Sequence, residues 1–360
     1  MRILRTAHLS GAGLSASAAA EHALRGESRP VEREGRPFHA IDIAADSWPE
    51  RLRILLDKLA PLPPDFDEVQ RARTGLYLGS SSFFVAWAEG PDAPAAESRD
   101  AMPPPALLGR LLARRLGIAG PVSVFGSACV ASLAALDAAC ADLAAGHVEH
   151  ALVLGLELDN RLTREGFAAL QLLSPTACRP LDKARNGLVL GESISALLMT
   201  RDAGSGWHVR GQGWAYDNSG PTAADLSGAP MIAAIERALD TAGLALQDIG
   251  LVKLHGAGSP LTDAAEVAAL RSLFAQAPTS FSLKPYLGHC LGASGTSELS
   301  LLCACLDAGC VPATPAFEMP DPALAWTPTR EASDWQGGAV LALWFGFGGQ
   351  VAATVLERRA

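Results

Sequence analysis

Charge is scarce in this chain of 360 residues: Asp, Glu, Lys and Arg make up 19% of it, against about a quarter in an average soluble protein. Little of the surface is bound to stay wet, so the composition predicts extensive buried interface and an oligomer. No long run of Lys and Arg occurs and the net charge is −9, which argues against a nucleic-acid binder. Paired cysteine spacing is also missing. Seven cysteines is an odd number, no C-x-x-C is present, and Cys303 and Cys305 stand too close for an ordinary metal pair. His289-Cys290 has no further ligand at metal spacing. The expectation is a reduced, cytoplasmic protein with neither metal nor disulfide framework. "MRILRTAHLSGAGLSASAAAEH" lacks a sustained apolar stretch, which argues against a signal peptide. Residues 116–136 carry no charge, but Gly, Pro and Ser punctuate them and their period changes midway. They read as a buried strand, turn and helix, not as a membrane span.

About half of the chain is apolar and 35 residues are glycine. Strand-length apolar runs alternate with Ala/Leu-rich helical stretches. "TGLYLGSS", "VSVFGS", "HALVLGLEL", "GLVLGESISALLMTR", "VRGQGWAYD", "IGLVKLHG", "SFSLK", "GAVLALWFGFGG" and "VAATVLE" read as strands. Residues 106–116, 130–145, 230–242, 263–276 and 295–308 read as helices, and a Pro-rich loop spans 89–105. Strands apolar on both faces, alternating with helices, predict α/β layers around buried sheets. On the helix at 106–116, Arg110, Arg114 and Arg115 form a small basic cluster at helical spacing. It is either a solvated face or a docking point for an acidic partner.

Residues 124–146 and 281–309 share a plan: an apolar strand, a Gly-containing turn, and a small-residue helix ending in Gly. This predicts an internal duplication divided near residues 200–210, with the two turns close together. In the first copy Cys129 opens a helix after a strand, where N–H groups and the helix dipole favour a thiolate. A small buried hydrophobe is the competing reading. His255 ends an apolar strand on a Gly-Ala-Gly turn, where either a catalytic or a structural histidine fits. The second copy supplies Lys284, His289 and Glu298. The Lys and Glu suit an ion pair or a shell that holds an imidazole. "WFGFGGQ" is a tight glycine turn able to bring a backbone N–H to a reacting atom.

Taken in order, "ACVASLAAL", "RPLDKARNGLVLGES", "HGAGSPLTDAAE", "KPYLGHCLGASGTSEL" and "FGFGG" resemble the β-ketoacyl carrier-protein synthases, elongating condensing enzymes of the thiolase-like superfamily. The resemblance runs from "RTGLYLGSS" to the C-terminal "VLE". It implies a duplicated αβαβα layered fold. One half, residues 1–205, would carry the nucleophile; the other, 206–360, would carry both histidines, as one catalytic unit. It implies decarboxylative Claisen condensation, in fatty acid, polyketide or polyene synthesis. Cys129 would hold the acyl group, and His255 and His289 would donate hydrogen bonds to the malonyl thioester. Lys284 and Glu298 would fix the imidazole tautomers. The N–H groups of Cys129 and Phe347 would form the oxyanion hole, with Gly346 and Gly348 beside a gating Phe347. Acyl carrier protein would deliver phosphopantetheine, so no cofactor is resident, and the chain would form a homodimer or pair with a related chain. Ala257 and Ser259 stand where the family often has two pantetheine-binding threonines, so one hydroxyl is lost. Val130 replaces a common Thr or Ser; Asn186, Ser193, Gln350 and Val351 also depart from the pattern. The competing reading is a non-catalytic partner subunit of the chain-length-factor kind. A condensing-fold acyltransferase acting on an amine or alcohol, and a Cys-His hydrolase, fit less well.

Overall fold

The computed structural model describes residues 1–59, 62, 65–90, 93 and 103–360; most of the Pro-rich loop expected at 89–105 lies outside the described residues. Ten strands join in one mixed sheet. In chain order they are β1 (Arg2–Ser10), β2 (Thr74–Gly79), β3 (Val122–Phe125), β4 (His150–Glu157), β5 (Ser193–Thr200), β6 (Gly206–Tyr216), β7 (Ile249–Lys253), β8 (Thr279–Phe281), β9 (Ala339–Gly346) and β10 (Gln350–Arg359). The spatial order is β8-β7-β9-β10-β6-β1-β5-β4-β2-β3. It divides into two sets of five with one topology. In each, the second strand runs parallel to the third and fourth, and the fifth is antiparallel to the fourth and first. The sets meet where Arg2 pairs with His208 and the Met1 ammonium donates to the Val209 carbonyl at 2.7 Å.

The main helices are α1 (Ala16–Leu24), α2 (Trp48–Leu59), α3 (Pro105–Leu116), α4 (Ala131–Ala145), α5 (Arg161–Ala169), α6 (Ala229–Ala242), α7 (Pro260–Leu273) and α8 (Ser294–Asp307). Alternation along the strands assigns their faces. Tyr77, Val153 and Leu197 of the first set and Val340, Ala342 and Trp344 of the second share one core with α1, α4 and α8. Leu76, Leu152 and Leu198, on the opposite face, pack on α2 and α3. Val252, Leu341 and Val355 pack on α6 and α7. The layers are therefore helix, sheet, helix, sheet, helix, with both faces of each strand set buried. α4 with the turn before it, Ala128–Ala145, is apolar and long enough to cross a membrane, but it belongs to this middle layer.

The run "GLVLGESISALLMTR" is not one strand. It breaks at Glu192, between Leu190–Gly191 and β5. The buried Glu192 carboxylate takes both Arg51 Nη groups, at 2.9 and 2.6 Å, and the N–H groups of Ile41 and Asp159. That cluster ties an N-terminal hairpin, Val31–Arg33 and Arg36–His39, to the core. Its second strand pairs in parallel with Leu190–Gly191.

Candidate active site

β3 ends at Phe125, and Ala128–Val130 form a single 3₁₀ turn before α4. Ala128 is held at φ +45°, a conformation that side chains disfavour. The second half repeats the device: Leu291 lies at φ +44°, and Leu291–Ala293 form the turn before α8. Cys129 and Gly292 are thus equivalent positions, and the two turns pack against each other. At Gly292 a Cβ would stand 2.5 Å from the Ser81 nitrogen and 2.8 Å from Glu157 Oε2, so only glycine fits. Glu157, at the end of β4, is buried and accepts from the N–H groups of Ser81, Ser82 and Gly292 and from both serine hydroxyls. It locks the paired turns together, a role with no local sequence signal.

Cys129 is 4% exposed. Burial pushes its thiol up to about 11, against the N–H groups of Phe347 and of Cys129 itself, and Lys284, which pull it down. The helix-start reading did not anticipate the largest influence: desolvation outweighs the two N–H groups and the lysine. Val130, beside it, is wholly buried, and its methyl groups lie under Gly346, whose built Cβ would sit 3.2 Å from Val130 Cγ2. It is a packing residue beneath the glycine loop.

His255 and His289 line one cavity with Cys129, their ring centroids 5.9 Å apart. His255 Nδ1 accepts the Phe345 N–H at 3.1 Å; His289 Nδ1 accepts the Leu291 N–H at 3.0 Å. Each ring therefore carries its hydrogen on Nε2. Both imidazoles are held neutral, well below the usual range, first by burial and then by the cations Lys284 and Lys253. The expectation that Lys284 and Glu298 fix the tautomers is corrected: backbone N–H groups do so. Lys284 instead donates to Glu298 Oε1 at 2.6 Å, and Lys253 donates to the other carboxylate oxygen and to the Leu343 carbonyl. The Lys253 ammonium also lies 3.7 Å from the centroid of the Trp344 ring. This second buried lysine was missed in the sequence, although a Lys closing the apolar run "IGLVK" is itself a signal.

The His255 turn is held by two carboxylates one helical turn apart on α7. Glu266 accepts the His255 and Gly256 N–H groups at 2.5 and 2.9 Å; Asp263 accepts those of Ala257 and Leu181 at 3.2 and 2.8 Å. Ser259 lines the cavity, whereas Ala257 is fully buried and does not. Thr262, at a position with no sequence expectation, also lines it, and its buried hydroxyl has no hydrogen-bond partner among the described residues. Gly346 and Phe347 line the cavity; Gly348 does not, and its N–H caps the Pro221 carbonyl at 3.0 Å. The Phe347 ring stacks on Phe167 of α5 with centroids 5.0 Å apart. Arg110, Arg114 and Arg115 stand exposed on α3, and Arg115 pairs with Asp57. All seven cysteines are free, and among the described residues no His/Cys/Asp/Glu group is placed to hold a metal.

A thiol, two Nε2–H imidazoles and a glycine loop, set on a duplicated five-layer fold, define a thiolase-like condensing-enzyme architecture. Comparison with known proteins narrows this. Models of the Beta-ketoacyl synthase N-terminal and C-terminal domains match residues 64–204 and 208–318, and the chain belongs to that family. It is 31% identical over 348 residues to the polyketide synthase ThaG of Burkholderia thailandensis, covering 85% of this chain and 6% of that protein. It is 29% identical over 274 residues to the tetracenomycin polyketide synthase ketoacyl synthase alpha subunit of Streptomyces glaucescens, covering 71% of this chain and 64% of that one. The chain thus spans less than two thirds of the length of either relative. In structure it is similar to a ketosynthase (ApeO) solved with its chain length factor (ApeC) from Xenorhabdus doucetiae. The TM-score is 0.84 at 25% identity, over 99% of this chain and 97% of that one. A β-ketoacyl synthase from Burkholderia phymatum shares the fold at TM-score 0.83 and 21% identity, over 100% and 99% of the two chains.

Proposed function

We propose that this chain is a polyketide-type β-ketoacyl synthase that loads an acyl group on Cys129 and condenses it with malonyl carrier protein. The observation that carries the reading is the pair of neutral imidazoles, each with its hydrogen on Nε2, lining one cavity with a thiol that faces two backbone N–H groups. In the first step the Cys129 sulfur attacks the acyl thioester. The tetrahedral oxyanion sits against the N–H groups of Cys129 and Phe347. The carrier's thiolate leaves and takes up the proton that Cys129 gave up. The histidines do not act as the base, because each Nδ1 already accepts a backbone N–H. In the second step the malonyl thioester oxygen receives both Nε2–H groups. CO₂ departs, and the electron pair of the broken bond becomes an enolate held by those hydrogen bonds. The enolate carbon attacks the acyl carbonyl, the C–S bond to Cys129 breaks, and the thiolate is reprotonated from solvent.

The hydroxyls of Ser259 and Thr262 suit the amides of a pantetheine arm, which Ala257 cannot reach. The arm arrives on acyl carrier protein, so no resident cofactor takes part, and the reaction is assigned to the cytoplasm. β3, an apolar edge strand with no outer neighbour among the described residues, suits pairing with a second ketosynthase-like chain, either a copy or a sister. Structures solved as ketosynthase and chain length factor complexes share this fold, and the missing hydroxyl at Ala257 favours one second reading, a non-catalytic partner subunit. Variants separate the two. Cys129→Ala abolishes acyl loading and His289→Ala spares loading but stops decarboxylation if this chain is the catalyst. If Cys129→Ala beside a sister chain leaves turnover intact and alters product length, the chain is the partner.

A further inference from the structure

Glu298 is one carboxylate shared by two buried lysines, which reach it from different places. Lys284 opens the turn that leads to His289. Lys253 ends β7, two residues before His255. Its ammonium meets groups of two other elements at once. It donates to Glu298 on α8 and, at 2.9 Å, to the Leu343 carbonyl on β9, and it lies 3.7 Å from the centroid of the Trp344 ring. Each of these contacts stands just behind a group of the site. Two residues beyond Leu343, the Phe345 N–H locks His255 Nδ1. One helical turn before Glu298, the Ser294 hydroxyl lies 3.2 Å from His289 Nδ1. Lys253, 0% exposed, thus joins the supports of both imidazoles at one point.

Charge separates the two lysines as geometry does. The charges that act most on the Cys129 thiol are Lys284 and Glu157. Those that act on His255 and His289 include both Lys284 and Lys253. Around the Lys253 ammonium stand Glu298 on α8, Lys284 and His289 on the turn before it, Glu266 and Asp263 on α7, and His255 beyond its own strand. β8 and β9 add no ionisable side chain. Burial brings Lys253 down to about 7. It is therefore charged below that pH, the range in which an ordinary imidazole, at about 6.5, takes up a proton. A cation already in place opposes that second positive charge.

We infer that Lys253 is a positioning residue for the second step of the reaction: its ammonium ties together the supports of His255 and His289 and keeps both imidazoles neutral Nε2–H donors, whereas Lys284 serves the thiol as well. This rests on the condensing-enzyme reading and assigns the two lysines to different half-reactions.

The test follows two half-reactions of the full chain, with a sister chain where one is needed. Acetyl loading of Cys129 from acetyl-pantetheine is read by intact mass, and CO₂ release from malonyl-pantetheine is measured on the acylated chain, both between about pH 5 and 8. Lys253→Met keeps an unbranched stem, and Glu298 keeps Lys284, so no buried carboxylate is stranded. This variant is expected to move the acid limb of CO₂ release up by about one pH unit and to leave the loading rate within about twofold of wild type. Lys253→Arg, which keeps the charge, is expected to bring the limb back towards wild type, and Lys284→Met to slow both half-reactions. In wild type, which needs no variant to fold, the acid limb is expected below about pH 5. A wild-type limb near the ordinary imidazole value of about 6.5, an unmoved limb in folded Lys253→Met, or loading and CO₂ release falling together in that variant overturns the role of Lys253 and leaves the condensing reading standing. No acyl adduct on wild type, alone or with a sister chain, overturns both.

Discussion

Alkylation of Cys129 by iodoacetamide will keep accelerating well beyond the pH at which ordinary thiols level off. Burial is the dominant influence on this thiol and raises it to about 11; the Phe347 N–H and the Lys284 ammonium recover part of the shift. Only the thiolate reacts. A group at that position is roughly one part in ten thousand ionised at pH 7 and gains tenfold per unit. Between pH 8 and 10 the rate should therefore rise about ninetyfold, whereas a thiol near the ordinary value of about 8.5 would rise about fourfold. The assay is peptide-mapped alkylation across that range. Lys284→Met removes a cation that favours the thiolate and should slow the reaction further at fixed pH. A plateau below pH 9 in wild type would refute the claim that desolvation outweighs the two N–H groups and the lysine.

Other expectations follow from neighbouring features. Glu298→Ala strands two buried ammonium groups, Lys253 and Lys284, and should destabilise the fold by about 3–5 kcal/mol in urea titrations. Gly295→Ala places a methyl 2.6 Å from Leu133 Cγ, where α8 crosses α4, at about 1–3 kcal/mol of overpacking. His39 is buried, its Nδ1 has no hydrogen-bond partner among the described residues, and it sits at about 4. Because the unfolded chain binds protons below about 6.5 and the folded chain does not, stability falls as pH drops from 6.5 towards 4. At pH 5 the loss from this group is about 2 kcal/mol, and His39→Gln should narrow the gap in Tm between pH 7 and pH 5. Charge reversal of Arg110 and Arg114 should raise the KM for carrier protein steeply at low salt if that face docks the carrier; an unchanged KM assigns it to solvent.

What could be read in advance was local. Strand–turn–helix patterns around Cys129 and His289 are contiguous, so both turns and their mutual approach were legible, as were the α/β layers. Glu157 was not, because its meaning depends on Ser81 and Gly292, which are remote in the chain. Lys253 reads as a polar strand end until Glu298 and Trp344 close over it. The tautomer locks also escaped, because a backbone N–H carries no side-chain signature. The thiol shows the general reason most clearly. Helix-terminus effects can be inferred from neighbours in sequence, but desolvation depends on residues such as Leu188, which only the folded chain gathers into one buried cluster with Cys129.

The most direct measurement is intact-mass spectrometry of the chain incubated with a panel of acyl carrier proteins, with and without candidate sister chains, followed by malonyl carrier protein. The account predicts an acyl adduct on Cys129, absent in Cys129→Ala, that is discharged as β-ketoacyl carrier protein when malonyl carrier is added and that persists in His289→Ala. No adduct under any pairing, or an adduct that malonyl carrier protein fails to discharge from wild type, would contradict it.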